Sequence, residues 1–195
     1  MQCKLGRWMP DFDRRTPRNE VLWTVPEVFF EDECAAMIAQ FEAIGFEEAL
    51  VTTPRGMVMN KGVRNNDRII LDDPARAEAL WERVRSHVPA SIREWRAYGL
   101  NERFRVYRYK PGQRFKPHFD GHFARDPDRD ESALTLIVYL NDDFVGGETA
   151  FLDYEVTVKP TAGTGLFFFH PVLHEGREVE SGVKYALRTD VMYRR

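Results

Sequence analysis

Two cysteines, Cys3 and Cys34, are all that 195 residues offer for disulfide pairing, too few for a disulfide framework and without the spacing of a thiolate metal site. A reducing compartment is the expected setting. Long apolar runs are missing as well. The longest, ALTLIVYL at 133–140, is far too short to cross a bilayer, and the opening stretch MQCKLGRWMPDFDRR has no continuous apolar segment of the signal-peptide kind. The expectation is a cytoplasmic protein with no membrane partner. Nor is there a basic block: 28 Lys and Arg stand against 31 Asp and Glu, the net charge is −3, and the basic residues are dispersed. That argues against nucleic acid as the main partner. Histidine is scarce too, with five in the chain.

What is present is the composition of an ordinary globular protein, 43% hydrophobic and 30% charged. The length fits one domain, expected here over 1–195. Residues 1–20, rich in Arg, Asp and Pro without periodicity, read as an irregular arm. EDECAAMIAQFEAIG at 31–45 carries acids in its first turn, places Ala35, Ile38 and Phe41/Glu42 in helical rhythm and ends at Gly45. DDPARAEALWERVRSHV at 72–88 opens with Asp beside Pro74 and stops before Pro89, a second helix.

From about residue 103 the rhythm becomes that of short strands: RFRVYRYK, RFKPHFD, ALTLIVYLN, GETAFLD, EVTVK, GLFFFH and VKYALRTDVMY, separated by turn chemistry at Pro111-Gly112, Gly146-Gly147, Pro160 to Gly165 and Ser181-Gly182. Helices ahead of such a run predict an α+β, mainly β fold: a sandwich or barrel over 101–195, with the elements of 1–100 supporting it from one outer face.

Four of the five histidines, His118, His122, His170 and His174, fall inside this β half. A lone strand histidine is commonly a hydrogen-bonded structural residue, so each needs company to count as a ligand. His118 has it in Asp120, two residues on, where an extended chain projects side chains to one face. A distant histidine would complete two His and one carboxylate, a set that leaves about three octahedral positions open, as in non-haem Fe(II) oxygenases. His170 and His174 share strand parity, so periodicity does not choose between them.

His118-x-Asp120, His174, YLN at 139–141, GGETAF at 146–151 and the basic Lys184 ten residues past His174 together resemble the 2-oxoglutarate, Fe(II)-dependent dioxygenases of the prolyl 4-hydroxylase-like branch. The resemblance spans roughly residues 100–195 and rests on several ordered motifs. It implies a double-stranded β-helix, a jelly-roll or cupin-like barrel, with metal ligands on His118, Asp120 and His174. His122 and His170 then become wall or structural residues. Implied too are Fe(II) as cofactor, 2-oxoglutarate and O2 as co-substrates, ascorbate as an auxiliary reductant, and hydroxylation of a prolyl, peptidyl or small-molecule substrate with release of succinate and CO2.

In that resemblance Lys184 grips the distal carboxylate of 2-oxoglutarate, and Tyr139 reaches the same group from a strand face shared with Thr135. Tyr107 or Tyr109 supplies a further tyrosine ahead of the metal motif. Arg188, on the same face as Lys184, can hold a carboxylate through its planar fork, contact the substrate, or pair with Asp190. VKYALRTDVMY alternates apolar odd with polar even positions, so the strand alone allows its charged face to meet either water or a cavity. The polar stretch 56–73, with Arg64, Asn65, Asn66 and Arg68, reads as a loop at the mouth or an exposed hairpin. The charged run 123–132 reads as a lid or a solvated loop. Two other readings share these motifs: a cupin-like metalloenzyme that does not use 2-oxoglutarate, and a non-catalytic barrel that binds.

Overall fold

Strand β1 (Leu22–Val25) precedes helix α1 (Glu31–Ile44), and strand β2 (Asp67–Asp72) precedes helix α2 (Pro74–Val84) in the computed structural model, which describes residues 10, 16–49, 51–53, 56–58 and 60–195. The irregular arm expected for residues 1–20 lies mostly outside the described residues, as does Cys3. Local chemistry sets the helix ends. The Phe30 amide donates to Glu33 Oε2 at 2.8 Å, and three acids fill the first turn of α1, where the helix dipole favours them. Asp73 caps α2 by accepting from the Arg76 amide at 2.9 Å, with Pro74 in the first turn, where a missing amide hydrogen costs nothing.

Each helix buries one stripe. On α2 it is Ala77, Leu80 and Val84; on α1 it is Cys34, Met37 and Phe41. The stripe of α1 therefore sits one position back from the expected Ala35, Ile38 and Phe41/Glu42: Ala35 is exposed and Ile38 half-buried. The reason is Glu42, which accepts from Arg108 at 2.8 Å and from the Tyr185 hydroxyl at 2.7 Å and so belongs at the border of the helix with the sheet.

The remaining strands are β3 (Trp95–Leu100), β4 (Arg103–Tyr109), β5 (Phe115–His118), β6 (Asp130–Tyr139), β7 (Thr149–Phe151), β8 (Val156–Val158), β9 (Gly165–Phe169), β10 (His174–Gly176) and β11 (Lys184–Arg194), with shorter pairs between them. The main sheet runs β1, β9, β6, β11, β4, β2 and then Glu47–Glu48; a smaller sheet runs β8, β7, β10, β5, and every pairing is antiparallel. The first half of β11 pairs with β4 and its second half with β3. The architecture is the jelly-roll, mainly β type, with strands from the amino-terminal half completing the main sheet.

Those strands correct part of the sequence reading. Residues 67–72 form no mouth loop: they pair with β4 across their whole length, and Ile69 is buried. β1 and β3 were not legible as strands either, because LWTV and WRAYGL are short and lack clean alternation. The charged run 123–132 forms a hairpin, in which Ala124–Asp126 pairs with the start of β6.

The two faces of the main sheet do different work. Leu136, Val138, Phe104, Val106 and Leu187 pack in the core that includes the helix stripes. The opposite face of β4, β6 and β11 turns Tyr107, Tyr109, Ile137, Lys184, Ala186 and Arg188 into a cleft against the smaller sheet.

Candidate metal centre

β5 and β10 pair with His118 directly opposite His174, so the two imidazoles come from facing positions with ring centroids 4.3 Å apart. Strand β5 ends at His118, and Asp120 enters from the segment just beyond it rather than from a continuing strand. One donor atom from each of the three residues lies within 4.8 Å of the others. Neither His122 nor His170 belongs to this group: His122 is half-buried, and His170 is fully buried behind the cleft.

Backbone contacts set the imidazole tautomers. His118 Nδ1–H donates to the Lys116 carbonyl at 2.8 Å and His174 Nδ1–H to the Val172 carbonyl at 2.9 Å. Both Nε2 atoms are thereby acceptors, and they face Asp120 at 3.7 and 3.8 Å. Burial keeps the rings neutral. It pushes the His118 pKa down to about 3, with the neighbouring His174 adding to the effect and Asp120 opposing it, and it lowers His174 likewise. For Asp120, burial alone would raise the pKa, but Arg188, the two histidines and the Thr135 hydroxyl hold it well below the usual carboxylate range. Two neutral imidazoles and one ionised carboxylate suit a divalent cation such as Fe(II).

The walls around this trio are aromatic on one side. Phe115 stacks on His118 with centroids 3.5 Å apart, and Phe168 and Phe151 flank His174. Arg64 is 5% exposed, with its guanidinium lodged between the rings of Tyr107 and Phe115, at 4.6 and 4.5 Å. Its Nε donates to Asn66 Oδ1 at 2.7 Å, whereas its buried Nη2 has no partner among the described residues.

Two cations line the cleft four residues apart on β11. Lys184, 5% exposed, donates to the Gly147 carbonyl at 2.6 Å and lies over the rings of Tyr109 and Tyr139. Burial pushes its pKa down to about 8, with Glu148 opposing. The glycine pair of GGETAF is required here: Gly146 and Gly147 have φ of 77° and 69°, and a Cβ on Gly146 would meet the Glu178 carbonyl at 2.3 Å. Arg188 stands at the metal end, its Nη2 3.2 Å from Asp120 Oδ2 and 3.0 Å from Asp190 Oδ1, with its buried Nε unpartnered among the described residues. The strand therefore turns its charged face into the cleft and not toward water.

The tyrosines divide by position. Tyr107 and Tyr109 both line the cleft. Tyr139 is fully buried one layer back, its hydroxyl 2.7 Å from Thr149 Oγ1, and Thr149 is the residue of that pair that reaches the cleft. Thr135 donates to Asp120 Oδ2 at 2.7 Å, so it acts on the carboxylate of the candidate metal set. Sequence reasoning missed Thr149 and Phe115 as lining residues. Thr149 lies within the GGETAF motif and Phe115 three residues ahead of His118, but only the pairing of β5, β7 and β10 places them.

Residues 104–189 match the model of the 2OG-Fe(II) oxygenase superfamily. The chain is 28% identical over 218 aligned residues to prolyl 4-hydroxylase 1 of Arabidopsis thaliana, covering 94% of this chain and 71% of that protein. The viral collagen prolyl hydroxylase of Paramecium bursaria Chlorella virus-1, solved with 2OG, superposes with a TM-score of 0.64 at 22% identity over 90% of this chain and 97% of that one. A Trichoplax adhaerens prolyl hydroxylase, solved with a hypoxia inducible factor oxygen degradation domain peptide, gives 0.65 at 16% identity over 87% and 82%. The matched segment 104–189 holds the cleft and its two-histidine, one-carboxylate set, and there the chain is similar to the 2-oxoglutarate and Fe(II)-dependent oxygenases. Within that superfamily the likeness is to the prolyl 4-hydroxylase-like branch.

Proposed function

We propose that this chain is a 2-oxoglutarate and Fe(II)-dependent dioxygenase that hydroxylates an aliphatic C–H bond of a prolyl or other peptidyl residue, converting 2-oxoglutarate and O2 to succinate and CO2. The observation that carries the reading is that one cleft joins the His118, Asp120 and His174 donors to the buried cation Lys184. His118, Asp120 and His174 hold the metal. Lys184 receives the distal carboxylate of 2-oxoglutarate, with Thr149, backed by Tyr139, on the same side and Tyr107 and Tyr109 forming the wall. Arg188 serves the metal end, where Thr135 also fixes Asp120. When bound, Fe(II) and the keto acid supply the oxidising chemistry, with ascorbate as auxiliary reductant. The protein's share is orientation, charge and exclusion of water.

A peptide is favoured over a free small molecule by the surroundings of the cleft. A groove of about 480 Å³ runs beside the cleft and shares Phe115 and Gly176 with it. Arg64, packed between Tyr107 and Phe115, braces the cleft wall beside that groove. The whole chain serves as one catalytic unit, and the buried free thiol of Cys34 suits a reducing, cytoplasmic setting.

Anaerobic addition of Fe(II) and then 2-oxoglutarate should produce the weak visible charge-transfer band of keto-acid chelation, and proline-containing peptides should stimulate succinate release in air. Iron binding without the band would sink the 2-oxoglutarate assignment. A band with no peptide-stimulated turnover would move the substrate to small molecules.

A further inference from the structure

His170 is the least exposed histidine of the β half and lies outside the metal set, yet both ring nitrogens are engaged. Nδ1 is 3.1 Å from Thr135 Oγ1, and Nε2 is 2.9 Å from Ser132 Oγ. Donor and acceptor directions along this chain can be assigned from its ends. An ionised carboxylate only accepts, so the single hydroxyl proton of Thr135 is committed to Asp120 Oδ2 at 2.7 Å. Thr135 must then accept from His170, which places the ring proton on Nδ1. Bare Nε2 accepts the Ser132 hydroxyl proton, and Ser132 Oγ accepts from the Phe123 amide at 2.8 Å. Arg188 Nη2, 3.3 Å from Thr135 Oγ1, takes the second lone pair of that oxygen. Burial lowers the His170 pKa to about 4, and with the ring neutral each step allows one direction only.

We infer that His170 is a positioning residue: through Thr135 it fixes the plane of the Asp120 carboxylate against the two histidine Nε2 atoms, and so sets the affinity of the metal site. The inference rests on the metal-ligand reading given above. Without the Nδ1–H donor, the Thr135 hydroxyl can rotate to other acceptors and Asp120 loses a fixed contact. Because Ser132 anchors the far end to the Phe123 amide, the relay also ties the segment after Asp120 to the main sheet. Partners of this kind, one step removed from a ligand, are worth about 10- to 100-fold in metal affinity.

The test is Mn(II) binding to the full chain by calorimetry, for wild type, Asp120→Ala, Thr135→Val, Thr135→Ser, His170→Phe, His170→Asn and the Thr135→Val/His170→Phe double variant, each with its Tm. The relay predicts that Thr135→Val and His170→Phe each weaken Mn(II) by about tenfold or more. The double variant should be no worse than the weaker single, whereas Thr135→Ser, and His170→Asn with an amide N–H near the place of Nδ1, hold affinity within about threefold. Wild-type Mn(II) affinity in Thr135→Val overturns the inference, whether or not His170→Phe folds. So does equal loss in His170→Asn and His170→Phe, or an affinity that simply follows Tm across the set. Wild-type affinity in Asp120→Ala is a separate result, showing that the metal is held elsewhere and that the ligand reading itself fails.

Discussion

Raising the pH from 7 to 9 should release 2-oxoglutarate, and the size of the loss follows from Lys184. Its pKa lies at about 8 where an ordinary lysine has 10.5, because burial in the cleft penalises the ammonium and Glu148 recovers only part of the cost. A distal carboxylate needs the charged form. If only that form binds, the apparent Kd scales as one plus ten to the power of pH minus 8. It is nearly unchanged at pH 7 and about elevenfold weaker at pH 9. Stability moves the opposite way. Between pH 8 and 10.5 the unfolded chain binds a proton at this site that the native state does not, so the free protein gains stability as pH rises, up to about 3 kcal/mol. Lys184 itself therefore contributes no destabilisation that could mimic the loss of ligand. Calorimetric titration of 2-oxoglutarate into the Mn(II)-loaded protein under nitrogen, at pH 7.0, 8.0 and 9.0, reads the effect. Lys184→Arg, charged throughout, should flatten the profile. A Kd that changes less than twofold in wild type, or the same fall in Lys184→Arg, would refute the assignment of Lys184 as the distal anchor.

Asp120→Ala should lower Mn(II) or Fe(II) affinity on the order of a hundredfold or more, since it removes a ligand and not merely a neighbour of one, and its far-UV circular dichroism should match wild type. Full turnover in that variant would exclude Asp120 from the site. Lys184→Met should weaken 2-oxoglutarate by roughly tenfold to hundredfold, the worth of a charge-assisted hydrogen bond, while sparing the monocarboxylate 2-oxobutyrate. Arg188→Met, at the metal end, should weaken both keto acids alike, and the reverse pattern would exchange the two roles.

Much of this site can be read in one dimension because its parts lie on short, strongly patterned segments. KPHFDGHF carries two donors within three residues. GGETAF announces the turn that presents the Gly147 carbonyl to Lys184. The strands from Arg103 onward are bounded by glycine and proline signals that mark their ends without help from distant residues. Less legible were features fixed only by pairing across the chain. Asp67–Asp72 is a strand because β4 lies beside it, and its Ile69, Ile70 and Leu71, set between charged residues without clean alternation, did not announce it. His170 and His174 have equal parity in sequence, but the turn between β9 and β10 sends one to the main sheet's buried layer and the other opposite His118. Tyr139 and Thr149 form one hydroxyl pair from strands of different sheets, and nothing local to YLN reveals which of the two faces the cleft.

The sharpest ambiguity was β11, whose alternation of apolar and charged residues reads equally as a surface strand. What decides it lies some 140 residues earlier: Tyr185 meets Glu42 of α1, so the odd face is covered by a helix and the even face must turn into the cleft. From this it follows that substitutions along β11 should sort by parity. Leu187, 1% exposed on the helix side, contributes to the core. Leu187→Ala should cost about 2–5 kcal/mol by urea unfolding, as is usual for a buried leucine, and leave the Kd for 2-oxoglutarate near wild type. Ala186, one residue away and lining the cleft between Lys184 and Arg188, should behave inversely. Ala186→Leu fills the space the keto acid needs and should weaken its binding by at least tenfold, at a stability cost of about 1–3 kcal/mol. If both variants lose stability and ligand in the same proportion, the two faces of β11 are not separated, and the assignment of the even face to the co-substrate falls with that separation.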